Sequence, residues 1–283
     1  VEVELKDIFN AKMSDSDFHR LSHFIFTEYG IKMPVAKKIM LQSRLQKRLR
    51  ELNIGSYHEY VDYVFKDKGN SNEIVHMIDV VSTNKTDFFR ESSHFDFLLQ
   101  EGLPEIYDRR KNRLVKIWSA GCSSGEEPYT MAMVLNEFGL THSNFDFQVY
   151  ATDISTRMLQ KAVTAIYTAD KVDPVPMTFK KRYLLKSKDP AVKNIRVIPE
   201  LRRKVTFGRL NFMDTVYDIH ETFDIIFCRN VLIYFDRETQ EKVINKLCTK
   251  LKPDGFFFLG HSESIMNFNV PLKQIKPTIF LRV

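Results

Sequence analysis

Cysteine is scarce in this sequence. There are three, Cys122, Cys228 and Cys248, an odd number with no Cys-x-x-Cys pair among them. That excludes a disulfide framework and offers no zinc-ligand spacing, so the thiols are expected to be reduced, small and buried, and no metal is expected. Long apolar runs are missing as well. Nothing approaches the roughly 20 apolar residues of a membrane span, and no signal peptide opens the chain, so a cytoplasmic protein without direct membrane insertion is expected. The chain starts at Val1, and its native initiator region is expected to lie upstream. The two common phosphate-binding patterns are absent from the stretch that would carry them: it has neither a P-loop Lys-Ser/Thr ending nor Gly-x-Gly-x-x-Gly.

What remains is a soluble globular composition, 43% hydrophobic and 28% charged over 283 residues. That length accommodates one large α/β domain plus a smaller one. The net charge of +6 is moderate, but its distribution is uneven. Lys37, Lys38, Arg44, Lys47, Arg48 and Arg50 fall in one stretch with no acidic residue among them, so it is either a solvated helix face or a surface that meets something negative.

The chain is organised around Leu114 to Leu135. Val115, Ile117 and Trp118 suit a buried parallel strand; Ala120-Gly121-Cys122-Ser123-Ser124-Gly125 lets the backbone turn close to a ligand; Glu126, Glu127 and Pro128 open a helix. Tyr129, Met131, Ala132, Val134 and Leu135 give that helix its apolar face. Such strand, turn and helix units hold nucleotides or nucleosides at the carboxyl edge of doubly wound sheets. Two carboxylates at the helix start oppose a pyrophosphate there and favour a neutral or cationic ligand. S-adenosylmethionine, with a sulfonium, an ammonium, a carboxylate and no phosphate, meets that description. The plainer alternative is a helix cap followed by a solvated acidic turn.

Residues 1–82 read as an N-terminal helical domain. Phe18, Leu21, Phe24 and Ile25 recur at helical spacing behind a cap at Asp15 or Ser16 and before a stop at Gly30. Ile39, Leu41, Leu45 and Leu49 predict the apolar stripe of a second helix, Tyr57 to Phe65 a third, Ile74 to Val81 a fourth. Thr83 to Glu91 then combines polar side chains with Phe88 and Phe89, which serves either a polar ligand held against an aromatic wall or a helix cap above a core. Phe147 to Asp153 alternates as a second strand ending in a carboxylate placed to accept from ribose hydroxyls, or to cap a helix.

About residues 165–208, a basic insert is expected as short antiparallel strands around Tyr167, Tyr183 to Leu185, Asn194 to Ile198 and Val205 to Phe207. Phe223 to Phe227 is a strand covered on both faces, followed by the polar end Cys228-Arg229-Asn230. A helix from Asp236 to Leu251, a strand at Phe256 to Gly260 and a last strand from Thr278 complete an α/β sheet.

With those segments in place, the sequence closely resembles the CheR family of chemotaxis receptor methyltransferases. The resemblance rests on Arg44 to Arg50, the Thr-Asn-x-Thr-x-Phe-Phe-Arg segment at 83–90, Ser-Gly-Glu-Glu-Pro-Tyr at 124–129, Ala-Thr-Asp-Ile at 151–154 and Phe-Cys-Arg-Asn-Val-Leu-Ile-Tyr-Phe at 227–235. It implies a Rossmann-like methyltransferase sheet at 83–283, with the small antiparallel β subdomain inserted. It also implies a protein-glutamate O-methyltransferase that uses S-adenosylmethionine, releases S-adenosylhomocysteine and needs no metal. Cofactor contacts are implied for Asn84, Thr86, Arg90, the Glu126/Glu127 pair with Glu127 favoured, Asp153, Asn211 with its neighbour Phe212, Asn230 and Val231. Phe212 stands where the family usually has Leu. Arg90 and Tyr234 are the candidates for orienting the reacting groups. Arg44, Lys47, Arg48 and Arg50 would then meet the cytoplasmic helical bundle of methyl-accepting receptors, the insert is a candidate dock for a receptor's tethering peptide, and a monomer is expected.

Two other readings compete. A nucleic-acid methyltransferase would also use a basic face and a cofactor sheet. Against it, Arg229-Asn230-Val231-Leu232 stands where base-nitrogen enzymes carry Asn/Asp-Pro-Pro-Tyr/Phe, and Cys228 follows Phe227 rather than a proline, so no nucleic acid is expected. A sensor that binds the cofactor without turnover is the second.

Overall fold

The structure, a computed structural model, describes residues 11–66, 71–109, 114–189 and 191–283, so residues 1–10 of the expected helical domain lie outside the described residues. The described chain opens with α1 (Asp15–Tyr29), α2 (Lys38–Leu52), α3 (Tyr57–Phe65) and α4 (Ser71–Val81). These pack around Phe18, Leu21, Ile25, Leu41, Leu45, Leu49, Tyr60 and Val61, a core separate from the one under the sheet. Ser14, rather than Asp15 or Ser16, caps α1, its Oγ accepting from Asp17 N at 3.0 Å. Gly30 ends that helix at φ 70°, donating to Phe26 O. Leu41, Leu45 and Leu49, four residues apart, are fully buried, whereas Ile39 is 79% exposed. Ile39 lies two residues before Leu41, on the far side of a 3.6-residue turn, so the expected stripe begins at Leu41.

After α5 (Ser93–Phe97), a π-helical turn and α6 (Leu103–Arg109), the chain enters a seven-stranded sheet. Its order is β6-β2-β1-β7-β8-β10-β9, with β1 (Leu114–Ala120), β2 (Asp146–Asp153), β6 (Val205–Arg209), β7 (Phe223–Cys228), β8 (Leu251–Leu259), β9 (Leu272–Lys276) and β10 (Ile279–Arg282). Pairing is parallel from β6 to β8; β10 runs antiparallel to both neighbours. From β1 the chain builds outward through β2 to β6, then returns to the other side of β1 with β7. That reversal opens a crevice at the carboxyl ends of β1 and β7, where open α/β sheets bind ligands.

Every residue of β7 is buried, as its unbroken apolar run requires. The exception in chemistry, Asp224, is offset by Lys252 Nζ at 2.9 Å and Lys116 N at 3.0 Å. The helices α7 (Glu126–Thr141), α8 (Thr156–Thr164) and α11 (Arg237–Lys250) follow β1, β2 and β7. On α7, Glu126 through Leu135 are all buried, a wider covered surface than one apolar face.

Three of the expected short strands, β3 (Ile166–Thr168), β4 (Leu184–Lys186) and β5 (Asn194–Val197), form an antiparallel sheet in the order β3-β5-β4. The fourth does not join them. Val205 to Phe207 lies in β6, paired in parallel with Val149 to Ala151 as an edge of the large sheet. Between the short strands, α9 (Met177–Tyr183) and α10 (Pro199–Arg202) are helical. The strand expected at Phe256 begins earlier, at Leu251, and breaks register between Phe223 and Ile225 on its partner, where Asp254 takes φ 57°. β9 carried no signal: exposed on most of its length, it lacks the apolar run of a buried strand. No helix among the described residues is long and apolar enough to cross a membrane.

Candidate active site

The turn after β1 folds back on β2. Gly121 and Cys122 both donate to Thr152 O at 2.8 Å, and Ser123 N donates to Asp153 Oδ2 at 2.7 Å. Gly121 sits at φ +94°, and a Cβ there would meet Val231 Cγ2 at 2.4 Å, so two chain segments touch at a point only glycine permits. Asp153 also accepts from Ser155 N at 2.9 Å; burial nevertheless holds its carboxyl above the ordinary range.

These elements floor a cleft of about 1100 Å³ of open space. Asn84, Thr86, Arg90, Glu127, Asp153, Asn211, Phe212, Asn230, Val231 and Tyr234 all line it, so one site gathers residues spread between positions 84 and 234. Glu126 does not line it. Its carboxylate turns to Ser124 Oγ at 2.7 Å, and burial raises its pKa, whereas Glu127 reaches the cleft between Ser119 Oγ at 2.7 Å and Arg229 Nε at 2.8 Å. Of the pair only Glu127 faces the cleft: adjacent residues on a helix point about 100° apart, and the second one faces the strands' ends.

The segment at 83–91 does part of each job foreseen for it. Asn84, Thr86 and Arg90 face the cleft, but Phe88 and Phe89 do not; Phe88 is buried against Tyr167, ring centroids 4.9 Å apart. The segment is not a helix start, since α5 begins at Ser93. Asn211 donates from Nδ2 to Glu28 O at 2.8 Å, and Tyr234 O accepts from Lys32 N at 3.0 Å, so both tie the helical domain to the sheet.

That domain closes the cleft. Tyr29, Ile31, Met33, Lys37, Met40 and Val81 line it from above; the sequence singles out Lys37 only within the basic stretch and Val81 only as part of a helix, and nothing local marks the other four. Sequence reasoning named Arg229 within the polar end of β7 but gave it no role, and it missed Glu263, a distant residue whose carboxylate accepts from the backbone of Asn230, Val231, Leu232 and Gly260.

Two of the expected partner-facing arginines are committed within the fold. Arg44 donates to Val81 O and, at 3.1 Å, Ser82 O, closing the carboxyl end of α4. Arg48 pairs with the buried Glu73, which also accepts from Tyr60 OH at 2.8 Å, and with Glu51. Lys47 and Arg50 stay exposed, Lys47 lying 3.6 Å from Glu51.

The donor set suits a nucleoside with a cationic side arm. Asp153 and Glu127 offer carboxylate oxygens, Asn84, Thr86 and Asn230 offer neutral polar groups, and Phe212, Leu210 and Val231 offer apolar wall. No histidine or cysteine lines the cleft among the described residues, and burial pushes the Cys122 and Cys228 thiols well up, away from nucleophilic thiolate.

A family model for the CheR methyltransferase SAM binding domain matches residues 84–281, and one for the CheR methyltransferase all-alpha domain matches residues 16–82. The chain is 38% identical over 276 residues to a chemotaxis protein methyltransferase of Borreliella burgdorferi, covering 96% of this chain and 95% of the relative. It is 34% identical to chemotaxis protein methyltransferase 2 of Pseudomonas aeruginosa, covering 93% and 92% of the two chains, and 36% identical to the chemotaxis protein methyltransferase of Escherichia coli, covering 89% and 85%. With both models matched in order and such identity along nearly its whole length, the chain belongs to the CheR methyltransferase family.

Proposed function

We propose that this protein transfers a methyl group from S-adenosylmethionine to glutamate side chains on the cytoplasmic helical bundle of methyl-accepting chemotaxis receptors, forming glutamyl methyl esters. The observation that carries this reading is a cleft rich in cations and hydroxyls but without a free base. Lys37, Lys85, Arg90 and Tyr234 line it, while its carboxylates, Glu127 and Asp153, already accept from Arg229, Ser119, Ser123 and Ser155. A glutamate is ionised near neutral pH, with an ordinary pKa of about 4.3, so it needs no base to take its proton. An alcohol or amine acceptor would need one.

Asp153, Glu127, Asn84, Thr86, Arg90, Asn211, Phe212, Asn230 and Val231 are the residues that would hold the cofactor. When bound, S-adenosylmethionine supplies a methyl group made electrophilic by its sulfonium. Arg90 and Tyr234 orient the reacting groups, Arg90 by a charge-assisted hydrogen bond and Tyr234 through its hydroxyl. Too firm a grip would stabilise the ground state, so Arg90 is better suited to the cofactor's side of the site. Ile31, Met33, Met40 and Val81 exclude water above the cleft, which favours a transition state in which opposite charges vanish.

Lys47 and Arg50, with Lys37 nearby, speed the encounter with glutamate-bearing helices, an effect that weakens with salt. The three-stranded sheet is the candidate dock for a receptor tethering peptide. The chain works in the cytoplasm as a monomer divided at 82/83, and its chemistry calls for no metal.

The test is to incubate the protein with methyl-labelled S-adenosylmethionine and receptor cytoplasmic fragments, then to treat the product with mild base. Label on the fragment that leaves as methanol supports the proposal. Cofactor binding without base-labile label on any receptor fragment would sink it in favour of a sensor or a nucleic-acid methyltransferase.

A further inference from the structure

Arg229 is the cation at the centre of the site, yet it does not have the freedom of a substrate-binding arginine. Its side chain is 2% exposed. Nε donates to Glu127 Oε2 at 2.8 Å; Nη1 donates to Arg90 O and His94 Nδ1, both at 2.9 Å, and lies 3.4 Å from Glu91 Oε2. The rings of Phe95 and Phe227 flank the guanidinium at 5.4 and 5.2 Å, which keeps its plane in place.

A guanidinium cannot accept, so His94 Nδ1 is unprotonated and Nε2 carries the proton toward Thr278 Oγ1 at 2.8 Å. Glu91, His94 and His261 bring ligand atoms within 4.8 Å of one another, a spacing that would suit a metal ion. The guanidinium already donates to two of those three residues, so this cluster has an organic cation.

We propose that Arg229 is a positioning residue for the cofactor cleft: one guanidinium fixes both the carboxylate of Glu127, on α7, and the backbone of Arg90, on the segment that brings Asn84 and Thr86 to the cleft. Glu127 would otherwise be free to rotate away, because Ser119 holds only its other oxygen. The Arg90 carbonyl follows Phe89, at φ 54°, and precedes Glu91, at φ 55°, in a backbone that bulky residues adopt only when surrounding contacts hold it. Arg229 is the contact on the Arg90 carbonyl, beside Thr130 Oγ1, which accepts from Phe89 N at 3.2 Å, and Asn230 Nδ2, which donates to Glu91 Oε1 at 3.2 Å; it acts through other residues rather than on the reacting atoms.

This rests on the cleft binding the cofactor, and the experiment separates the two. S-adenosylhomocysteine binding is measured by calorimetry for the wild type, R229Q, E127Q and R229Q/E127Q, with no receptor present. Hydrogen exchange over residues 84–92 is followed in the ligand-free chains. R229Q should bind about 10–100-fold more weakly, in keeping with loss of hydrogen bonds to charged groups, and the same change in the E127Q background should cost clearly less than it does alone, what remains being the lost hold on the Arg90 carbonyl. Exchange over 84–92 should quicken in R229Q. R229K should not restore affinity, since an ammonium lacks the planar fork that spans Glu127 and Arg90.

Losses that simply multiply in the double variant, or unchanged exchange over 84–92, would overturn the proposal and leave Arg229 a structural ion pair. Should R229Q not fold, R229K and R229K/E127Q give the same cycle. A wild-type chain that fails to bind S-adenosylhomocysteine would instead overturn the reading of the cleft.

Discussion

Glu263 Oε2 accepts from the backbone N–H of Asn230 at 2.8 Å, and the same carboxylate accepts from Val231, Leu232 and Gly260 at 2.7 to 2.9 Å. Four donors converge on one buried side chain, three of them from the turn that carries two cleft residues and the fourth, Gly260, from just past the end of β8. Burial raises the Glu263 pKa while the four N–H groups pull it down. Asn230 takes φ 59°, a conformation this clamp makes tolerable. In E263Q an amide NH2 would face backbone donors. The expected outcome is a loss of about 2–3 kcal/mol in urea unfolding, together with at least about tenfold weaker S-adenosylhomocysteine binding, since buried donors are left unpaired.

Gly121 gives an independent probe of the same junction. G121A combines a left-handed backbone with a Cβ 2.4 Å from Val231 Cγ2, and valine's short branched side chain cannot swing clear. A destabilisation of about 2–3 kcal/mol and a marked loss of cofactor affinity are expected. A stable, tightly binding G121A would mean that the turn and the Val231 segment separate easily.

Tyr234 lines the cleft from a 3-10 turn, Leu232–Tyr234, beside the helical domain. If its hydroxyl orients the acceptor, Y234F should lower kcat by about tenfold and leave S-adenosylhomocysteine affinity within about twofold, the pattern of a contact that matters in the transition state. Equal losses in both would place Tyr234 with the cofactor.

His94 gives stability a pH dependence. Burial, aided by the charge of Arg229, lowers its pKa to about 4, from an ordinary 6.5. Between those values the unfolded chain holds a proton that the native chain does not, so unfolding free energy rises with pH. The contribution is complete above about pH 6.5 and is lost as pH falls through about 4, amounting to as much as about 3 kcal/mol. Urea titrations of the wild type and H94N from pH 4 to 7 should show a steeper slope in the wild type. Parallel slopes would mean that folding does not lower the His94 pKa.

Much of this was legible locally because its causes are local. Gly121, Ser123 and Gly125 all adopt positive φ. The acidic residue at the end of β2 falls beside the first turn because parallel neighbours bring their carboxyl ends to one edge. The same reasoning failed for Val205 to Phe207. A short β-rich segment carries no mark of which sheet will take it, and pairing with Val149 to Ala151 depends on a chain reversal far from either strand. It failed for Arg48 as well, since a basic residue on a polar helix face looks the same in sequence whether it meets solvent or the buried Glu73.

The sequence by itself determined the family, the strand, turn and helix at the floor of the cleft, and the identities of the polar groups there, because those follow from spacing and residue type. Only the tertiary structure decided that Glu127 rather than Glu126 faces the cleft, that Arg229 and Glu263 brace it, and that residues between Tyr29 and Met40 roof it. Those outcomes depend on which way a helix is rotated against its sheet and on how two separate cores pack together, and neither is encoded within any one stretch of the chain.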